Sequence, residues 1–157
     1  MTKMIYCCEE STPNPIKLDY HKKLPMYITK LDHLVLTVKD IHATILFYTN
    51  VLGMQQVSFG ENRQALQFGS QKINLHQHGD EVEPHASQPT PGSADLCFIT
   101  DIPQEQVIEY IQSCGVAILA GPLPRSGATG RLLSIYLRDP DGNLIEISNN
   151  TKNNTVR

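Results

Sequence analysis

At 157 residues, with 40% hydrophobic and 18% charged side chains, the chain has the length and composition of one globular domain that can bury a sizeable core. Its formal net charge of −3 argues against nucleic acid or an anionic membrane as partner, since both select a clustered basic surface. No apolar run approaches the roughly 20 residues of a membrane-spanning helix.

The first 26 residues read as an N-terminal extension. They lack the apolar central stretch of a signal peptide, carry Glu9, Glu10 and Asp19 but no arginine, and are broken by Pro13, Pro15 and Pro25. The domain is expected over residues 27–150, followed by a polar tail at 151–157. None of Cys7, Cys8, Cys97 and Cys114 makes a CxxC pair, and Cys97 and Cys114 fall inside apolar patterns. Those two read as small buried hydrophobes, which fits a reducing compartment and a cytoplasmic protein.

Alternation begins before His33, where Leu31, His33, Val35 and Thr37 share one face of a strand. Asp40 is placed to cap a helix over residues 41–52, which Gly53 ends. Short strands follow at 55–59, 65–68 and 72–76, completing β-α-β-β-β. Residues 77–93, rich in Gly and Pro, read as a connection. The order then recurs: a strand at 95–100, a helix opened by Pro103 and stopped by Gly115, a strand at 116–119, a flexible loop at 121–130, and strands at 132–138 and 144–148 around the tight turn Asp139-Pro-Asp-Gly-Asn143.

The recurrence has a constant offset. His33 to Asp95 is 95 − 33 = 62, and Gly53 to Gly115 is also 62. By the last strands it grows to 146 − 74 = 72, the extra residues falling in the longer second-half loop. The implied fold class is α+β: two βαβββ modules, about 27–77 and 93–150, in pseudo-two-fold arrangement around a cupped mixed sheet. Equivalent strands then bring five polar residues toward one surface: His33, Asn74, His76, Asp95 and Glu146. Imidazole and carboxylate in an apolar setting are costly unless paired or metal-bound, and that donor set suits Zn, Ni, Co, Mn or Fe. The chain has no GxSxG elbow, P-loop or GxGxxG motif.

The segment LDHLVLTVKDIHATILFYTNVLGM resembles the opening of vicinal-oxygen-chelate proteins, the glyoxalase I superfamily, and DPDGNLIEI resembles their closing strand. With NRQALQFGSQKINLH, PTPGSADLCFIT and GPLPRSGATG, the pattern looks most like the glyoxalase domain-containing protein 5 subgroup and its bacterial lactoylglutathione-lyase-like relatives. The resemblance implies a divalent-metal site at His33 and Glu146; His76, one same-face step beyond Asn74 on its strand, is the candidate third ligand. It also implies catalytic roles for Glu146 and Asp95, glutathione as co-substrate and a homodimer. The sequence departs from the family pattern at two places: Asn74 and Asp95 stand where glyoxalase I commonly has Glu and His or Glu. The expected function is a metal-dependent lyase or isomerase acting on a small vicinal-oxygen substrate. The alternatives are an extradiol dioxygenase, a thiol transferase or a non-catalytic binding protein on the same scaffold.

Overall fold

In the computed structural model, which describes residues 26–151, Asp40 is extended and its carboxylate accepts from the Ala43 amide, capping the first helix as its position predicts. The expected extension with Cys7 and Cys8, and the C-terminal tail, fall on residues 1–25 and 152–157 and lie outside the described residues. The chain divides into two compact units, Met1–Lys30 and Leu31–Arg157. Of the first, residues 26–30 are described; they are exposed and have no regular secondary structure.

The second unit runs β1 (His33–Val38), α1 (Ile41–Asn50), β2 (Gln55–Phe59), β3 (Arg63–Phe68), β4 (Gln71–Gln77), β5 (Asp95–Ile99), α2 (Gln104–Ser113), β6 (Ala120–Ser126), β7 (Arg131–Arg138) and β8 (Leu144–Asn150). These are two βαβββ modules of an α+β fold, as the offset implies. Each module makes its own four-stranded mixed sheet, ordered β1-β4-β3-β2 and β5-β8-β7-β6. In both, the first strand lies parallel to the last while the others run antiparallel. The registers match across the repeat. Val35 pairs with Asn74 and Cys97 with Glu146, which reproduces the offsets 97 − 35 = 62 and 146 − 74 = 72.

Two expectations are corrected here. Residues 116–119 are not a strand, and the segment read as a flexible loop supplies β6 instead. Pro122 and Pro124 argued against a strand, but β6 is the outer strand of its sheet, where a missing N–H leaves no ladder partner unsatisfied. A register shift between Ala120 and Leu123 absorbs the irregularity.

Alternation sorts each sheet into an apolar and a polar face. Leu36, Val38, Leu66, Ile73 and Leu75 pack with Ile45 and Tyr48 of α1; Ile135, Leu137, Ile145 and Ile147 pack with Val107 and Ile111 of α2. All belong to one continuous core, and each fully buried Leu or Ile contributes about 1.5–3 kcal/mol of transfer free energy. Phe68 and Phe98 meet edge to face across the modules, centroids 5.3 Å apart.

Polar contacts also tie the modules. The Tyr48 hydroxyl donates to Asp139 Oδ2 at 3.0 Å, with both residues buried. Asp139 further accepts from the amides of Asp141 and Asn143 and from Asn143 Nδ2, so the DPDGN turn is organised around this carboxylate. The Asp141 carboxylate in turn accepts from the Lys39 amide, just before α1. Gly92 (φ +76°) lets the connection pass against this turn, since a Cβ there would sit 2.5 Å from the Asp141 carbonyl oxygen.

Burial, with the neighbouring charges of Asp139 and Asp141, holds the Tyr48 phenol well above its ordinary titration range. A group whose folded pKa is raised contributes stability that is complete below its unfolded pKa, near 10, and is lost as pH rises beyond it. Unfolding free energy is therefore expected to fall with pH above about 10. Tyr48→Phe should flatten that part of the pH profile in urea titrations; an equally steep profile would show that Tyr48 is not its source.

Candidate functional site

The polar face of the first sheet is set by β1 and β4. His33, Val35 and Thr37 alternate with the core-facing Leu34, Leu36 and Val38, and Lys72, Asn74 and His76 alternate with Ile73 and Leu75. The parallel register places His33 opposite Lys72, Val35 opposite Asn74 and Thr37 opposite His76. His33 is 45% exposed at its side chain, and its Nδ1 lies 2.9 Å from Asp32 Oδ1. A carboxylate only accepts, so that contact fixes the proton on Nδ1 and presents the Nε2 lone pair. Asn74 and His76 are buried. Asn74 Oδ1 and His76 Nδ1 have no hydrogen-bond partner.

The second sheet repeats the arrangement with different chemistry. Asp95, Cys97 and Ile99 of β5 lie on the face carrying Glu146 and Ser148 of β8, while Ile145 and Ile147 point into the core. Ser148 Oγ donates to Glu146 Oε1 at 3.2 Å, and Ser134 Oγ lies 2.8 Å from Ser148 Oγ. The Cys97 thiol lies 3.4 Å from the same Ser148 hydroxyl. Tyr136 of β7 is the register partner of Glu146, and its hydroxyl accepts from Arg125 Nε of β6 at 2.7 Å.

The chain thus brings His33, Asn74 and His76 onto one sheet, and Asp95 and Glu146 onto the other. No strand of one sheet pairs with a strand of the other, and among the described residues no three His, Cys, Asp or Glu side chains are grouped to hold a metal ion. His78 and His85 are exposed in the connection, 3.3 and 3.2 Å from Glu81 and Glu83. An apolar cavity of about 420 Å³ is lined by Met54, Phe68, Phe98, Ile99, Val107 and Tyr110 among others, with no charged group or His in its wall.

The expected burial of Cys97 and Cys114 is corrected: both are exposed. Cys97 lies on the polar face of an edge strand, and Cys114 caps the end of α2. Partial desolvation beside Glu146 pushes the Cys97 thiol above its ordinary range, so it is held protonated at neutral pH. Sequence reading also missed Ser134, Ser148 and Tyr136. Ser148 carried a signal, since it lies two residues beyond Glu146 and so on the same face. Tyr136, and the hydrogen bond its hydroxyl accepts from Arg125, become visible only once the strand register is known.

The fold and these two faces define a class. Residues 30–147 match the model of the Glyoxalase/Bleomycin resistance protein/Dioxygenase superfamily, and the chain belongs to that superfamily. It is 59% identical over 133 residues to "Virulence protein STM3117" of Salmonella typhimurium, covering 85% of this chain and 92% of that protein. The crystal structure of that relative superposes with a TM-score of 0.79 at 60% identity, over 80% of this chain and 100% of the other. Glyoxalase domain-containing protein RDO1 of Mycosarcoma maydis is 54% identical over 77% of this chain and 68% of its own length. These high-identity relatives carry other names than the subgroup expected from the motifs. More distant structures share the fold: a lactoylglutathione lyase from Agrobacterium tumefaciens (19% identity, TM-score 0.60, 78% and 94% coverage) and the fosfomycin resistance protein FosX from Listeria monocytogenes (22%, 0.56, 80% and 93%), the latter complexed with Mn(II). No helix among the described residues is long and apolar enough to cross a membrane.

Proposed function

We propose that the protein is a divalent-metal-dependent enzyme of lyase or isomerase type, acting on a small substrate with adjacent oxygens. The observation that carries this reading is the pair of buried, unpartnered atoms Asn74 Oδ1 and His76 Nδ1 on the face of His33. Buried polar atoms without partners are rare, and these two, with the free Nε2 of His33, form a donor set suited to a borderline divalent cation. The donors present therefore fit such an ion, with His33, His76 and Glu146 as holding residues and Asn74 and Asp95 beside them. The Mn(II) complex of FosX supports the same choice.

Both candidate faces point away from the shared core, and in this reading the His33 face of one copy meets the Glu146 face of a second. A two-fold dimer makes two such sites, each drawing His33 from one protomer and Glu146 from its partner. An ion held by His33, His76 and Glu146 would supply Lewis-acid polarisation of a substrate oxygen. In this reading Glu146 takes and returns the proton between neighbouring carbons, oriented by the Ser148 hydroxyl, and Asp32 keeps the His33 ring in place. The methylglyoxal–glutathione adduct is the first substrate to assay.

Mixing two inactive variants tests the assignment. His33→Ala and Glu146→Gln proteins should each fail to bind stoichiometric Zn, Ni, Co, Mn or Fe. Random subunit exchange makes half the dimers mixed, each with one intact site of two, so the mixture should regain about a quarter of the wild-type sites. No regain, with exchange demonstrated, would remove the shared site; no metal retention by the wild type would leave a binding protein on the same scaffold.

A further inference from the structure

Among the described residues, the lysines and arginines of the candidate faces have no anionic partner. Among the described residues the ion pairs are His33–Asp32, His78–Glu81 and His85–Glu83, and no lysine or arginine lies within ion-pair distance of a carboxylate. Arg125 is the case that matters, because it is held in place without being neutralised. Its Nε donates to Tyr136 Oη at 2.7 Å, its Cζ lies 5.3 Å from the centroid of that ring, and its Nη1 donates to the Pro124 carbonyl. Among the described residues Nη2 has no acceptor.

Register shows where this guanidinium points. Arg125 pairs with Leu132, four positions along β7 from Tyr136, so its side chain lies along the face rather than across it. Tyr136 is itself the register partner of Glu146. The guanidinium is therefore led toward the candidate catalytic carboxylate. The other face shows a related feature. Lys72, the register partner of His33, places Nζ 4.0 Å from the Phe59 centroid, and Arg63 places Cζ 4.6 Å from the same ring. Both faces carry an aromatic-braced cation beside a candidate ligand.

We propose that Arg125, braced by Tyr136, recognises an anionic group of the substrate, so that the substrate class is small acids bearing a carboxylate, phosphate or phosphonate beside the reacting oxygens. This rests on reading the two faces as the active site and names what that site accepts. A planar guanidinium offers parallel N–H donors to such a group, and a brace already in place lowers the ordering cost of binding. Asp95 and Glu146 on the same face repel an anion, which makes the uncompensated Arg125 the group that must attract it.

The test uses the full chain without metal and inorganic phosphate as probe, with binding followed by amide chemical shifts. Wild-type protein should show saturable shifts at residues 134–136 and 146. Arg125→Gln should weaken binding at least about tenfold, and Tyr136→Phe, which keeps the ring but removes the acceptor for Nε, by about two- to fivefold. Arg131→Gln, on the alternate face of β7, should bind as the wild type does. No saturable binding, unchanged binding in Arg125→Gln, or an equal loss in Arg131→Gln each overturns the proposal. Neither metal nor turnover enters this readout, so its failure leaves the metal reading standing, and failure of metal retention leaves this result standing.

Discussion

Asp139→Ala is expected to destabilise the folded protein by about 3–5 kcal/mol, a cost of the size seen when one partner of a buried charged network is removed. The carboxylate is almost fully buried and receives four hydrogen bonds, from Tyr48 Oη, the amides of Asp141 and Asn143, and Asn143 Nδ2. Alanine strands every one of those donors, and each buried unsatisfied donor costs about 1–3 kcal/mol. The loss is not simply local. Tyr48 belongs to α1 of the first module and Asp139 to the turn between β7 and β8 of the second, so the substitution loosens the join between modules. Urea unfolding should show a lower midpoint with an unchanged slope. Combined with Tyr48→Phe, the effect should fall short of the sum of the single changes, since both remove the same bond. A loss below about 1 kcal/mol would contradict the network's assigned weight.

Glu146→Gln is expected to lower metal affinity by at least about hundredfold and to abolish turnover, while shifting stability by no more than about 0.5 kcal/mol. Glutamine keeps the shape and the Oε1 acceptor that Ser148 uses, but loses the charge that holds a cation and the basicity that moves a proton. Ser148→Ala should be graded, about 10- to 100-fold in metal affinity, because it removes only the hydroxyl that aims the carboxylate. Calorimetric metal titration and melting curves on the same preparations separate a lost ligand from a lost fold. A Glu146→Gln protein that retains stoichiometric metal and activity would falsify the assignment.

The facing of the candidate residues was legible in advance, and for a definite reason. Strand alternation puts residues two apart on one face, so Glu146 between Ile145 and Ile147 had to oppose the core, and it does. The same rule put Asn74 and His76 on a common face, and the parallel register of β1 with β4 adds His33 to it. Cys97 was misread because its segment, DLCFI, is apolar on both faces. Composition there cannot tell a residue packed on α2 from one on the polar side of an edge strand. β6 was missed because its prolines silence the pattern that marks a strand, and an edge position tolerates them.

By itself, the sequence determined the two modules, their β-α-β-β-β order along the chain and the facing of each candidate ligand. All of these follow from periodicity and a repeat offset, which are properties of neighbours along the chain. The tertiary structure decided that the modules make two separate sheets joined through one core, that the His33 and Glu146 faces lie on different sheets, and that Arg125 reaches Tyr136. Those facts depend on which apolar faces meet and on strand register between distant segments. Local spacing does not encode them, because burial free energy depends on the total apolar area removed from water rather than on which segment supplies it.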